Sequence, residues 1–188
     1  MMKENKKMQR RGIMLKKLIR NEKGLTLIEL LAVIVILGII AAIAIPSIGG
    51  LIDNSKKDAH VANAQQMINA AKIAVTADKD LIPANSKYTV LPLAYLENKG
   101  YLETVKDPDG DTATYTKGPD QYDGKPITGQ SDDPKAAYSY VLIKNEDTKL
   151  KYYVKLINSS RGVFGTGGAA VEEKDLKRDA VNKIQQQS

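Results

Sequence analysis

The residue types that could do chemistry in this chain are mainly carboxylates, because the sequence has one histidine and no cysteine. Asp107, Asp109 and Asp111 alternate along a polar stretch as the ligands of a calcium loop do. The full EF-hand spacing fails, since the sixth position is not glycine and the twelfth is Gly118 instead of Glu. The pattern predicts a solvated acidic turn, with calcium binding as the alternative.

The remaining reactive residue types form no catalytic constellation. His60 has no metal-ligating residue four positions later and is predicted to be a surface residue. The glycine-rich stretch 162–168 lacks the Gly-Lys-Ser/Thr ending of a phosphate loop, so it predicts a flexible connection. Asn158 begins a glycosylation sequon by pattern alone. We therefore predict no enzyme, and calcium is the one cofactor left open.

A further carboxylate, Glu29, stands at the start of a long apolar run. Residues 30–52 carry no charge, and as a helix they would extend about 34 Å, enough to cross a hydrocarbon core of ~30 Å. Such a segment could be a permanent anchor, a signal cleaved after Ala44, or a helix stored in the membrane before use. The negative charge of Glu29 could be stabilised by the helix macrodipole at the N-terminus, or it could need a partner charge within the apolar surroundings.

The positive charge of the chain is concentrated before this run. The whole chain carries +6, whereas residues 1–24 hold nine Lys or Arg and two Glu, a net +7 that leaves −1 for residues 25–188. Basic residues beside a membrane span act as a topology signal that keeps the N-terminus in the cytoplasm. The high isoelectric point is therefore no argument for nucleic-acid binding, which we do not expect of this subunit.

The string Gly24-Leu25-Thr26-Leu27-Ile28-Glu29 resembles the processing site of type IV pilins and pseudopilins. The resemblance implies that a prepilin peptidase cuts between Gly24 and Leu25 and methylates the new amine of Leu25. Glu29 would then be the fifth mature residue, and its carboxylate could pair with the amine of a neighbouring subunit. Two departures are the leucine in place of the more usual phenylalanine and a 24-residue leader, which a start at Met14 would shorten.

The same resemblance implies an α+β fold of the lollipop type, a long N-terminal α-helix packed on a small antiparallel β-sheet head. The predicted divisions are a cleaved leader 1–24, a transmembrane and filament-core half-helix 25–52, and a soluble head 53–188. Gly38 and Pro46 are predicted positions where the helix can bend or unwind in a filament.

Within the head, residues 53–77 predict the amphipathic second half of the helix, because apolar residues recur there at spacings of three and four. These residues are Val61, Ala64, Ile68, Ala71 and Val75. Residues 78–188 predict an α/β globular region. It begins with an extended piece between Pro83 and Pro92 and a short helix that ends at Gly100.

The rest of the head is predicted as a loop, a hairpin and a final helix. Residues 106–135 contain four of the seven prolines and read as a long surface loop. Residues 136–158 predict a β-hairpin that packs on the helix. The faces proposed for this packing are Tyr138, Tyr140 and Leu142 on one strand, and Leu150, Tyr152, Val154 and Leu156 on the other. Residues 171–184 predict a charged C-terminal helix.

These features favour the structural subunit of a type IV pilus, in particular a major pilin. The implied partners are further copies in a homopolymer, a prepilin peptidase, an assembly ATPase, a platform protein and minor pilins. The implied location is the cytoplasmic membrane, with one span, before the extracellular filament. A pseudopilin of a secretion or DNA-uptake machine is the first alternative, and a membrane-anchored or secreted binding domain the second. The absence of cysteine favours a Gram-positive source.

Overall fold

The structure is a computed structural model that describes residues 26–110, 114–118, 127–128, 133–147 and 149–184. The predicted cleavage site at Gly24 and Leu25 lies outside the described residues, as do Asp111 and much of the predicted loop 106–135. The chain divides into two compact units that meet between Gly49 and Gly50, and each is described by itself.

The longest element is helix α1, Leu27–Ala77, with 51 residues. It continues through Gly38 and Pro46, and it ends where the sequence predicts. Its first half is rich in Ile and Val, which are weak helix formers in water. An apolar environment favours the helix despite these residues, because there every backbone group must be paired within the segment.

The second half of α1 lies in the unit of residues 50–188 and buries one face. The predicted stripe is confirmed, with Val61 only partly buried. Alanines dominate this face. The fully or almost fully buried apolar residues are Ala64, Met67, Ile68, Ala70, Ala71, Ala74 and Val75.

Seven strands among the described residues form one antiparallel sheet. They are β1 Tyr88–Pro92, β2 Ile127–Thr128, β3 Tyr140–Glu146, β4 Lys149–Ile157, β5 Arg161–Val163, β6 Val171–Glu172 and β7 Val181–Lys183. The order across the sheet is β2-β1-β3-β4-β5-β7, and β6 also pairs with β4. With α1, this sheet confirms the predicted α+β class.

The short helix α2, Leu93–Asn98, follows β1 directly, as predicted. Gly100 then adopts a φ of +74°, a left-handed conformation that glycine reaches without a side-chain clash. The amides of Tyr101 and Leu102 both donate to the Leu96 carbonyl, which closes the helix end.

The hairpin is present as β3 and β4. The predicted packing face of β4 is confirmed, but the predicted packing face of β3 was wrong. The register places Val141 opposite Val154 and Ile143 opposite Tyr152. These residues, with Leu156, join the core cluster that contains the buried face of α1. Tyr140 and Leu142 instead lie in a separate cluster with Tyr88 and Val90, against which Tyr138 and Tyr153 pack. Because side chains alternate along a strand, the two predicted sets face opposite sides of the sheet.

The predicted C-terminal helix over 171–184 was also wrong. This segment contains β6, the 3-10 turns Glu173–Asp175 and Arg178–Ala180, and β7. Val171 pairs with Val154, and Val181 pairs with Val163. The unpaired backbone groups at the edges of β4 and β5 form hydrogen bonds with this segment when it is extended. A charged helix with a thin apolar stripe would leave those backbone groups without these partners.

Candidate functional site

Thr26, just before α1, and Glu29 in the first turn of α1 form a capping box. The Thr26 amide and hydroxyl both donate to Glu29 Oε2, at 2.7 and 2.9 Å. The Glu29 amide returns a bond to the Thr26 hydroxyl oxygen at 3.3 Å. This geometry gives Glu29 a local function at the helix start, and its predicted role between subunits stays a prediction.

The residues that follow present bare apolar side chains in every direction around the helix. Large apolar residues from Leu27 to Ile52 are all more than 45% exposed, and Leu27 reaches 85%. Among the described helices, α1 is long and apolar enough to cross a membrane. Exposure of so large an apolar surface to water is unfavourable, so lipid or other apolar helices must cover it in the functional protein.

Two residues of this apolar segment weaken the helix locally. Pro46 has no amide hydrogen, so the Ala42 carbonyl four residues earlier receives no helix bond from it. Gly38 lacks a Cβ, and glycine in a helix interior is less favourable than alanine by about 1 kcal/mol because it loses more backbone entropy on folding. The helix is nevertheless unbroken in the single chain, and its bending in a filament stays a prediction.

In the head, the predicted acidic loop brings Asp107 and Asp109 to a polar cluster under α1. Asp109 Oδ2 lies 3.0 Å from both Arg161 Nε and Asn158 Nδ2. Asn158 Nδ2 also donates to Asp107 Oδ2 at 2.8 Å. Arg161 continues through Nη1 to Asp53 of α1 at 2.7 Å. The cluster therefore ties the helix, the loop and β5 together.

His60 belongs to this cluster, so its prediction as a surface residue was wrong. It is fully buried on α1, with Nε2 3.1 Å from Asp109 Oδ2 and Nδ1 2.8 Å from the Tyr115 hydroxyl. Asn63 Nδ2 donates to that hydroxyl oxygen at 3.0 Å. The Tyr115 hydroxyl is thus free to donate to Nδ1, which leaves the proton on Nε2 for Asp109. A usable signal was present in the sequence, because His60 lies four residues before Ala64 on the buried stripe.

The charges of the cluster act on the carboxyl group of Asp109. Its partial burial raises the pKa, while the hydrogen bonds from Asn158 and His60 and the charge of Arg161 lower it. The net result is a pKa below the usual value for aspartate. The ionised form of Asp109 is therefore favoured by folding.

Asn158 is a buried member of this cluster, a role that the sequon pattern did not reveal. It is 1% exposed, and its Oδ1 accepts from the amides of Ser160 and Arg161, both at 2.7 Å. These bonds fix the amide so that Nδ2 faces the two aspartates. The nitrogen that a glycan would need is buried and occupied in this fold.

His60, Asp107 and Asp109 lie close enough for their ligand atoms to share a metal ion. The donors around them do not fit a calcium site as arranged, because Asn158, Arg161 and His60 all direct hydrogens at the same oxygens. Calcium favours carboxylate, carbonyl and water oxygens without competing cations. Calcium binding by Asp107, Asp109 and Asp111 stays a prediction, with Asp111 outside the described residues.

Comparison with known families identifies the N-terminal segment. Residues 19–45 match the family described as the prokaryotic N-terminal methylation motif. The chain carries a type IV pilin-like prepilin segment. This prepilin segment contains the capping box, the predicted cleavage site and the first part of the apolar helix. The comparisons with curated proteins and with solved structures give no match.

The prepilin segment confirms the predicted resemblance and agrees with membrane anchoring by the apolar helix. The family it defines consists of structural subunits, which supports the prediction of a protein without enzymatic activity. It implies processing by a prepilin peptidase and polymerisation, and it is shared by pilins and pseudopilins. The match does not bear on the predicted Gram-positive source.

Proposed function

We propose that this chain is the major subunit of a type IV pilus, stored in the cytoplasmic membrane with one span and a cytoplasmic N-terminus. Cleavage between Gly24 and Leu25 removes the basic leader, and the mature chain enters an extracellular filament. The observation that carries the proposal is the prepilin segment joined to an apolar helix whose residues 27–52 have no packing partner among the described residues.

Assembly transfers the apolar segment of residues 27–52 from lipid to the stems of neighbouring subunits. Both environments are apolar, so the hydrophobic effect alone gives little preference for the filament. An outside source of work is required, which an assembly ATPase acting through a platform protein would supply. Minor pilins would start or end the polymer.

Glu29 provides the selectivity of this step. Its carboxylate and the methylated ammonium of Leu25 on an adjacent subunit pair at one height of stacking. A subunit at the wrong height leaves both charges unpaired in apolar surroundings, which is costly. Gly38 and Pro46 allow the helix to bend or unwind as the stems pack.

Two alternatives remain distinct from this proposal. A pseudopilin of a secretion or DNA-uptake machine has the same prepilin segment but forms short fibres. A membrane-anchored or secreted binding domain would use the helix only as an anchor or a signal. Electron microscopy of sheared material separates the first alternative, because a major pilin yields abundant long fibres.

The deciding experiment is the mass of the N-terminal peptide of protein sheared from intact cells. We expect a peptide that begins at Leu25 and carries one added methyl group. A start at Ile45 would indicate signal cleavage after Ala44 and overturn the filament proposal. An uncut chain that stays in the membrane fraction would instead indicate a plain anchor.

A further inference from the structure

A cavity of about 730 Å³ opens on the head, away from the acidic cluster. Its lining includes Lys135, Lys155, Lys183 and the glycine-rich turn 165–168. The other lining residues are Ala137, Ile157, Phe164, Asn182 and Ile184. Its size falls within the range of sites that hold small organic ligands. Residues 25–188 carry a net charge of −1, so three lysines in one cavity form a local excess of positive charge.

Lys155 is the unusual member of this set, because it is 6% exposed. It lies on β4 between Val154 and Leu156, so it points to the side of the sheet opposite the buried face of α1. Its Nζ has three hydrogens, and the acceptor found among the described residues is the Lys135 carbonyl at 3.5 Å. A buried ammonium group normally has a closer set of partners.

The nearby carboxylate of Asp133 is already engaged. It accepts from the Tyr140 hydroxyl and from the amides of Lys135 and Ala170. Burial lowers the pKa of Lys155, and the charge of Asp133 opposes that effect. An anion in the cavity would favour the charged form of this lysine further.

The glycine-rich turn keeps the space in front of the lysines open. Gly167 and Gly168 have φ values of +66° and +77°, which other residues rarely adopt. A Cβ on Gly168 would lie 3.6 Å from Lys155 Nζ, and one on Gly167 would lie 4.0 Å from Lys135 Nζ. Side chains at these two positions would therefore grow towards the ammonium groups and fill the cavity.

We propose that this cavity binds a small anionic molecule through its phosphate or carboxylate group, with Lys155 at the base and Lys135 at the rim. The buried ammonium, the second lysine beside the glycines and the open volume all fit one oxyanion with a small attached group. This binding function is independent of filament assembly. It uses no P-loop chemistry, because the turn lacks the Lys-Ser/Thr ending and the following helix.

The test is isothermal titration calorimetry on the full chain in detergent. Sodium phosphate and sodium glucuronate serve as separate probes, with sodium chloride of equal ionic strength as the reference. We expect saturable binding of at least one probe, and its identity tells whether the site prefers phosphate or a carboxylate sugar. Lys155→Met should weaken that binding about tenfold or more, since it removes a charge-assisted contact.

Lys149→Met is the matched control, because Lys149 lies on the same strand and the same face as Lys155 but is exposed. It should leave binding unchanged. Equal weakening by both variants would mean non-specific attraction and overturn the proposal, as would the absence of saturable binding by the native chain.

A second measurement covers the case in which Lys155→Met does not fold, which its thermal unfolding curve would reveal. Lys135→Met, at the exposed rim, should also weaken binding. Amide NMR shifts of Gly167 and Gly168 should move on titration with the bound probe in the native chain. Shifts confined to other parts of the head would contradict the assignment.

Discussion

Asp109 is the residue on which the packing of the acidic loop most depends. Its Oδ2 atom accepts hydrogen bonds from His60, Asn158 and Arg161 at distances of 3.1 Å or less. Lys56 Nζ lies 3.8 Å from Asp109 Oδ1. The Asp109 side chain is only 9% exposed. Loss of this one carboxylate would leave several donors without their acceptor, which costs more than the loss of a single exposed ion pair.

We expect Asp109→Asn to lower the free energy of unfolding at pH 7 by about 1–3 kcal/mol. Because the folded pKa of Asp109 is lowered, its stabilisation is present above the unfolded pKa of ~3.9 and is lost as pH falls through the folded value. The native chain should therefore lose more stability than the variant between pH 5 and pH 2. Urea unfolding across this range measures the difference.

The exposed carboxylate Asp175 offers the control for this experiment. Asp175→Asn should retain the native pH profile. Parallel profiles for the native chain and Asp109→Asn would contradict the assignment of an ionised, stabilising Asp109.

Glu29 offers a second test at this scale, because its capping bond and its charge can be separated. Gln also serves at this position of a capping box, so Glu29→Gln keeps the acceptor for Thr26 and removes the charge. We expect Glu29→Gln to be cleaved normally but to yield few or no fibres in sheared material. Electron microscopy and immunoblotting of the sheared and membrane fractions provide the measurement.

Thr26→Val is the companion variant, since it removes the hydroxyl of the capping box and keeps the carboxylate of Glu29. It should still form fibres. A normal fibre yield from Glu29→Gln would show that the charge of Glu29 is not needed for assembly and that this residue acts only in helix capping.

At the scale of elements, the antiparallel strands β4 and β5 approach so closely at residue 162 that only glycine fits there. A Cβ on Gly162 would lie 2.3 Å from the Leu156 carbonyl oxygen and 2.7 Å from Ile157 Cα. Both obstacles are backbone atoms, which a rotamer change cannot move. Asn158 in the turn between these strands and Arg161 at the start of β5 also belong to the acidic cluster, so the shape of this connection affects both features.

Gly162→Ala should therefore destabilise the head by about 1–3 kcal/mol, as overpacking of a filled site does. Gly165→Ala is the matched control, because a Cβ there would meet its nearest atom at an ordinary 3.7 Å. Thermal unfolding of both variants by circular dichroism gives the comparison. Equal transition temperatures would show that β4 and β5 can separate without cost.

At the scale of the whole molecule, charge is divided between the leader and the mature chain. The precursor has a net charge of +6 and an isoelectric point near 9.3, whereas residues 25–188 sum to −1. The proposed cleavage after Gly24 would therefore remove a basic segment of the kind that favours retention at the cytoplasmic face. A filament built from residues 25–188 would be weakly acidic over its length.

Isoelectric focusing should place the processed subunit below pH 7 and the uncleaved precursor above pH 9. Purified filaments should not shift duplex DNA on a gel at physiological salt, because a chain with net negative charge lacks the usual basic footprint. A precursor stabilised by Gly24→Ala serves as the basic reference for focusing. Firm retention of DNA by filaments would favour the DNA-uptake alternative.

Much of the fold could be predicted from the sequence because the deciding interactions are local. The apolar run and the three-and-four spacing predicted α1 to its last residue, and the turn residues predicted α2 and the β3–β4 hairpin. The prepilin segment could also be predicted, because its motif lies in consecutive residues of the sequence. None of these features needs a contact from a distant part of the chain.

The tertiary structure alone decided the features that join residues far apart in sequence. Asp109 meets His60 and Asn158 across 49 residues in each direction, and Arg161 reaches Asp53 across 108. The face of β3 that packs on the core with α1 depended on register, and a shift of one residue reverses that face. The final segment became strands because the edges of β4 and β5 were open to it. Local sequence patterns determine whether a segment forms a helix or a strand, whereas long-range packing determines which elements it contacts. This packing buries His60, which the sequence alone predicted to be a surface residue.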